Sequence, residues 1–243
     1  MGCFRDQIAV VTGASSGIGR AIALDFARRG AEVCLVARRR EALESVAQEV
    51  GKNGGRAHVC CADLTRDEDI QRIAAAVQQR FDRAEVLVLC GGTILYGTIQ
   101  HATLAEFDLQ YRSNLRGHYA LVQALLPFLR RQRGQIVFIN SSVATRACGS
   151  GAGQYVATQY ALRAIADSLR EEVNSDGIRI LSVYPGRTAT PRTAGLFEKE
   201  GKPYRPELLI QPEDVATVVS QTLSLPRTVE VTDISMRPMM KCY

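Results

Sequence analysis

Short apolar runs alternate with longer amphipathic stretches along the whole chain, and that alternation limits the possible folds more than any other feature. The candidate strands are residues 8–12, 32–36, 57–61, 86–89, 135–140, 179–184 and 229–235. The amphipathic stretches lie near 17–29, 39–51, 66–81, 103–113, 115–132, 155–174 and 212–223. Strands this short and this apolar, each separated from the next by a helix-length segment, predict a parallel sheet covered by helices on both faces. Seven strands fit one doubly wound α/β sheet. A chain of 243 residues with 46% hydrophobic content suits a single domain over residues 1–243, since no Pro-, Gly- or Ser-rich linker divides it. The rhythm breaks at about 186–210, where Pro191, Gly195, Gly201, Pro203 and Pro206 follow the sixth strand. A substrate loop is expected there, at the carboxyl edge of the sheet, where ligands bind in such folds.

Charge and cysteine usage narrow the class further. The net charge of +5 comes from basic residues spread among acids, with no long basic block of the kind that binds nucleic acid. Cys3, Cys34, Cys60, Cys61, Cys90, Cys148 and Cys242 form an odd set without C-x-x-C or metal-ligand spacing. They read as reduced, mostly packed thiols, with no metal site. The first strand begins too early for a signal peptide, and no apolar run reaches membrane-spanning length. Met1-Gly2-Cys3 hints at myristoylation, but Asp6 stands where that motif requires Ser or Thr. A soluble cytoplasmic protein with no membrane partner is expected.

Thr12-Gly13-Ala14-Ser15-Ser16-Gly17-Ile18-Gly19 follows the first strand directly and opens a helix at Ile18. Glycines at a strand-to-helix turn let the backbone approach a pyrophosphate, and the helix N-terminus offers free N–H groups and a positive dipole end. The spacing G-x-x-x-G-x-G resembles the cofactor motif of the short-chain dehydrogenase/reductase family, in its classical branch, and the resemblance spans practically the whole chain. It implies a doubly wound Rossmann fold and a nicotinamide dinucleotide on Gly13, Ser15, Ser16, Gly17, Ile18 and Gly19. At the end of the second strand, an NAD-selective site usually carries an acid for the ribose. This chain has Ala37 followed by Arg38, Arg39 and Arg40. Guanidinium forks suit a 2′-phosphate, so Arg38 and Arg39 point to NADP(H). Asp63 and Leu64 match the family's adenine contacts.

The resemblance also implies a catalytic set. Ser142 precedes Tyr155 by thirteen residues, as the family's carbonyl-orienting serine precedes its proton-donating tyrosine. Asn114 matches the asparagine that kinks a helix and holds a relay water. Pro185, Gly186, Thr188 and Thr190 match the segment leading to the nicotinamide carboxamide. Taken singly, Ser142 could be a cap and Asn114 a helix start, but their order with Tyr155 argues for the site. These residues imply hydride transfer between the cofactor and a carbonyl substrate.

Two departures stand out. Four residues after Tyr155, where the family has lysine, this chain has Gln159, which can donate to ribose hydroxyls but carries no charge. A cation about 5 Å away at an effective dielectric near 20 is worth roughly 3 kcal/mol, so its loss leaves Tyr155 nearer the ordinary tyrosine value of about 10. Activity should then favour carbonyl reduction, which uses a protonated tyrosine, over alcohol oxidation. Arg163 is expected to face outward and not to replace the lysine. After the fourth strand, Leu89-Cys90-Gly91-Gly92 replaces the family's Asn-Asn-Ala-Gly, so Cys90, Gly91 and Gly92 keep backbone contacts to the cofactor and lose side-chain ones.

The leading expectation is an NADPH-dependent carbonyl reductase. The alternative is a weak or inactive member that binds NADP(H) as a sensor or partners an active homologue. Either form resembles proteins that assemble as homodimers or homotetramers through the helices near 115–132 and 155–174. Ile94, Leu95, Tyr96, Leu196 and Phe197 are expected to form a partly apolar substrate pocket. His58, His101 and His118 lack partner spacing and read as surface or packing residues, and Met236, Met239 and Met240 as a cover for core or a subunit contact.

Overall fold

The computed structural model describes residues 4–145 and 151–240. Cys3, Cys148, Cys242 and the Met1–Cys3 motif therefore lie outside the described residues. The strands are β1 (Ile8–Thr12), β2 (Glu32–Ala37), β3 (Arg56–Cys61), β4 (Val86–Leu89), β5 (Gln135–Ile139), β6 (Arg179–Pro185) and β7 (Asp233–Met236). The helices are α1 (Gly17–Arg28), α2 (Arg40–Lys52), α3 (Asp67–Arg80), α4 (Leu104–Tyr111), α5 (Gly117–Gln132), α6 (Gly153–Val173), α7 (Pro191–Lys199) and α8 (Pro212–Leu223). The strands form one parallel sheet in the order β3-β2-β1-β4-β5-β6-β7. Among the described residues, no helix is long and apolar enough to cross a membrane.

Alternation along each strand divides the core. Ala9, Val11, Val33, Leu35, Val86 and Val88 pack with α1, α2 and α8, whereas Val10, Cys34, Leu87, Leu89, Ile136 and Phe138 pack with α3, α5 and α6. Both faces are thus buried, which explains why the strands read as unbroken apolar runs. The chain moves outward from β1 to β3, then returns to place β4 on the other side of β1. That reversal opens a crevice at the carboxyl ends of β1 and β4, the natural ligand position in an open α/β sheet.

Two expected segments differ. Residues 229–232 were predicted as strand, yet β7 starts only at Asp233. The guanidinium of Arg179 accounts for this: it donates to the carbonyls of Leu223, Leu225, Pro226 and Val229 and to Gln135 Oε1. Glu230 meanwhile accepts from the Ile180 N–H. Side chains thereby take up bonding groups that a longer ladder would have used. The predicted loop at 186–210 contains α7, which Thr190 caps through the Thr193 N–H and which carries Pro191 in its first turn. Met239 is 98% exposed and Met240 63%, so these two cover no core.

Candidate active site

The crevice is a cleft of about 810 Å³, lined by β1, β2, β4, β5 and β6 at their carboxyl ends and by α6 and α7. Gly13 turns at φ +64, and a Cβ there would fall on the Cys90 carbonyl. Only glycine lets the β1 turn lie this close to the end of β4. Thr12 Oγ1 accepts from the Cys90 N–H at 2.8 Å and fixes the same approach. α1 then begins at Gly17, with Ser16 as its N-cap residue making no side-chain cap bond, so the helix N-terminus faces the cleft.

Every sequence-predicted site residue lines this one cleft: Gly13, Ser15, Ser16, Gly17, Ile18 and Gly19 from the β1 turn, Arg38 and Arg39 after β2, and Asp63 and Leu64 after β3. Cys90, Gly91 and Gly92 follow β4, Asn114 comes from the helix beyond, and Ser142, Tyr155 and Gln159 come from β5 and α6. Pro185, Gly186, Thr188 and Thr190 complete it from β6 and the following loop. Of the predicted apolar residues, Ile94, Tyr96 and Leu196 line the cleft, but Leu95 and Phe197 do not. Phe197 is buried beneath Tyr204 and under the Arg187 guanidinium, which lies 4.6 Å from its ring centroid.

Arg38 and Arg39 are exposed at the mouth of the cleft, and among the described residues no carboxylate lies within ion-pair distance of either. Arg40 instead pairs with Glu44 on its own helix at 3.7 Å. The Asp63 carboxylate accepts from the Thr65 N–H and hydroxyl, while the Asp63 N–H donates to Asp69, so the β3 turn is fixed by its own side chains.

Asn114 lies in a π-helical turn, Arg112–Arg116, between α4 and α5. Its amide is 1% exposed and fully engaged: Oδ1 accepts from the Thr93 N–H at 2.6 Å and from Ser113 Oγ, and Nδ2 donates to the Thr93 carbonyl and to Thr158 Oγ1. A Cβ on Gly92, at φ +137, would collide with this side chain. Thr158 Oγ1 donates in turn to the Tyr155 carbonyl at 2.7 Å. From the sheet side, Asn140 Nδ2 donates to the Gln159 carbonyl at 3.1 Å. The first turns of α6 are therefore held from two directions, by Asn114 at the Thr158 hydroxyl and by Asn140 at the Gln159 carbonyl.

Arg163, expected to face outward, donates from Nη1 to the Ala144 carbonyl at 3.2 Å and is half-buried. It ties α6 to the short turn that carries Ser142. Sequence reasoning also passed over Arg192, whose guanidinium donates to the Gly92 carbonyl at 2.6 Å and straps α7 across the cleft. It passed over His118 as well, which is 1% exposed and lines the cleft. The four-residue step from Asn114 to His118 places both on one helix face and was the available signal. Burial pushes the His118 imidazole down to about 4, opposed in part by the Asn114 carbonyl. Burial also pushes the Cys90 thiol up to about 12, opposed by Arg192, so Cys90 is an inert packing group.

Comparison with known proteins agrees with this geometry. The family model described as short chain dehydrogenase matches residues 7–201. A glycine betaine reductase of Emericella nidulans is 33% identical over 238 residues, 96% of this chain, although the chain spans only 19% of that protein's length. An uncharacterised oxidoreductase of Staphylococcus epidermidis is 31% identical over 96% of this chain and 98% of its own. Among solved structures, an alcohol dehydrogenase from Thermococcus sibiricus complexed with 5-hydroxy-NADP superposes with TM-score 0.87 at 30% identity, covering 96% of this chain and 97% of its own. L-sorbose reductase from Gluconobacter frateurii, complexed with NADPH and L-sorbose, reaches 0.88 at 28% identity, with 97% of each chain covered.

Proposed function

The chain belongs to the short-chain dehydrogenase family, and from that premise we propose that it is an NADP(H)-dependent oxidoreductase that reduces a ketone or aldehyde to an alcohol. The observation that carries the cofactor choice is the pair Arg38 and Arg39, exposed at the cleft mouth without carboxylate partners among the described residues. No acid stands at the end of β2, where Ala37 does. A 2′-phosphate matches two unpaired guanidinium groups, and the Gly13 turn with the α1 N-terminus matches a pyrophosphate. The NADP and NADPH complexes of the similar structures support the same choice. When bound, the reduced nicotinamide supplies the hydride.

The chain's own residues do the rest. Tyr155, in the first turn of α6, donates its hydroxyl proton to the carbonyl oxygen, and Ser142 orients that oxygen by a hydrogen bond. Gln159 stands where the family's lysine is expected, and its amide donates to the cofactor ribose without adding charge. Reduction needs a protonated phenol, and a neutral residue at 159 does not draw that proton away. Asn114 fixes the helix that carries Tyr155, acting through Thr158. The loop over residues 186–210 forms the substrate side of the cleft, and Leu196, Ile94 and Tyr96 contribute apolar lining. The whole chain acts as one dinucleotide-binding unit in the cytoplasm, assembled as a homodimer or homotetramer.

The test is NADPH oxidation by the unmodified protein and by Gln159→Lys on a panel of aldehydes, ketones and β-keto esters. Turnover by the unmodified protein is expected, with alcohol oxidation at neutral pH much slower than reduction. Turnover by the lysine variant alone would overturn the reductase reading and favour the second one, an NADP(H)-binding sensor or partner protein, for which Gln159 is the motivating observation.

A further inference from the structure

Arg192 stands in the first turn of α7, on the substrate side of the cleft, and its charge is unmatched. Its guanidinium donates to the Gly92 carbonyl at 2.6 Å, and among the described residues no carboxylate lies within ion-pair distance of it. A guanidinium carries five N–H donors, and this bond uses one of them. Arg187, the other arginine at this end, is matched by Glu200 at 2.8 Å. Gln159 is neutral, and burial keeps the His118 ring neutral as well. Arg192 is therefore the one unmatched cation lining this end of the cleft among the described residues.

Carboxylates are kept away from it. Among the described residues lining the cleft, only Asp63 is acidic, and it follows β3, beside the Arg38 and Arg39 end. Arg192 follows β6, with β2, β1, β4 and β5 between the two strands in the sheet. At ordinary strand spacing those strand ends are roughly 24 Å apart, well beyond the screening length of about 8 Å at physiological salt. The fold also pins the guanidinium. Thr190 caps α7, and a Cβ on Gly17 would stand 3.0 Å from the Thr190 methyl, so α7 starts against the N-terminus of α1. Gly92 packs on the Asn114 side chain, which bonds Thr158, whose hydroxyl reaches the Tyr155 carbonyl. The Gly92 bond thus ties the charge to the framework that carries the proposed proton donor.

We infer that Arg192 binds a carboxylate of the substrate, so that the enzyme takes oxo acids in preference to neutral ketones and aldehydes. This deepens the reductase reading and rests on it. A carboxylate matches the planar guanidinium with two parallel N–H···O bonds, and a guanidinium already held in place loses little freedom on binding it. Leu196, Ile94 and Tyr96 offer apolar lining to the carbons between carboxylate and carbonyl. The reaction leaves the carboxylate unchanged: the carbonyl carbon gains the hydride, its oxygen gains the Tyr155 proton, and a hydroxy acid leaves.

The experiment uses the full-length protein with pyruvate, acetoacetate and levulinate, each set against its methyl ester. For at least one pair, kcat/KM with NADPH is expected to be higher for the acid by about tenfold or more. Arg192→Gln should cut that acid-to-ester ratio about tenfold, and Arg192→Lys should recover part of it, while Kd for NADPH by fluorescence moves less than about threefold. A preference for the ester in every pair would overturn the inference. So would equal losses for acid and ester in Arg192→Gln, which mark a strap without recognition, or a matching loss of NADPH affinity, which assigns the guanidinium to the dinucleotide. Saturation-transfer NMR on the protein with NADP+ reads binding of the same acids and esters without turnover, and tighter binding of the acids, lost in Arg192→Gln, is expected. If that binding preference stands but no carbonyl is reduced, the reductase reading falls and the carboxylate site survives. If reduction proceeds without the preference, the carboxylate site falls and the reductase stands.

Discussion

Replacing Asn114 by alanine removes the junction between the β4 loop, the π-helical turn and α6. The side chain makes four hydrogen bonds at 1% exposure: to the Thr93 N–H and carbonyl, to Ser113 Oγ and to Thr158 Oγ1. The Ser113 hydroxyl can rotate to another partner, whereas the Thr93 and Thr158 groups are left facing the gap. At about 1 kcal/mol net per bond, the expected loss is roughly 3 kcal/mol. For a chain of this size, that lowers Tm by about 6–12 °C. Urea unfolding of Asn114→Ala, Thr158→Val and the double variant measures it. Because Asn114 and Thr158 share a bond, the two losses should fall short of additivity by at least about 0.5 kcal/mol. A loss below about 1 kcal/mol for Asn114→Ala, or strict additivity with Thr158→Val, would refute the reasoning.

Other perturbations report on separate parts of the molecule. Arg38→Ser with Arg39→Ser should weaken NADPH binding by 10- to 100-fold and NADH binding by less than threefold, since one charge-assisted contact is worth roughly 1.5–3 kcal/mol. Equal losses for both dinucleotides by fluorescence titration would show that the arginines do not read the phosphate. Glu200 is a pH probe of the α7 segment. Burial works to raise its pKa, but hydrogen bonds and charge from Arg187 and Lys202 outweigh this and hold it below the ordinary 4.5. A depressed carboxylate stabilises the fold above that value and loses its contribution as pH falls through the folded value. Tm of the unmodified protein should therefore drop more steeply below about pH 4.5 than that of Glu200→Gln, and parallel curves would contradict the pairing. Arg179→Met, which removes a donor from each of the carbonyls of Leu223, Leu225, Pro226 and Val229, should destabilise by roughly 2–4 kcal/mol in urea titration.

The sheet and its order of elements were legible because burial on both faces writes itself into composition: a parallel strand has no solvent side, so Val86–Leu89 and Gln135–Ile139 read as apolar blocks. The glycine turn was legible because a positive φ and a carbonyl in contact leave no alternative to glycine at position 13. What stayed hidden depends on pairing across the chain. Nothing local to residues 229–232 says that Arg179, fifty residues earlier, will claim the Val229 carbonyl. The same applies to Arg192, which meets Gly92 from 100 residues away, and to Arg163, which meets Ala144. Phe197 shows the converse: an apolar residue in a cleft-side helix looks like a pocket wall until its burial under Tyr204 and Arg187 is seen. His118 was passed over because a histidine without partner spacing resembles a packing residue, and its unmet nitrogens are invisible in one dimension.

The anchoring of α6 bears on how much a change at residue 159 could disturb the helix. Asn140 grips the carbonyl of Gln159 and Asn114 grips the Thr158 hydroxyl, and neither bond depends on which side chain residue 159 carries. Mutation at that position is thereby decoupled from the placement of the tyrosine. Exchanges at residue 159 should therefore show in the chemistry of the cleft while the helix keeps its register.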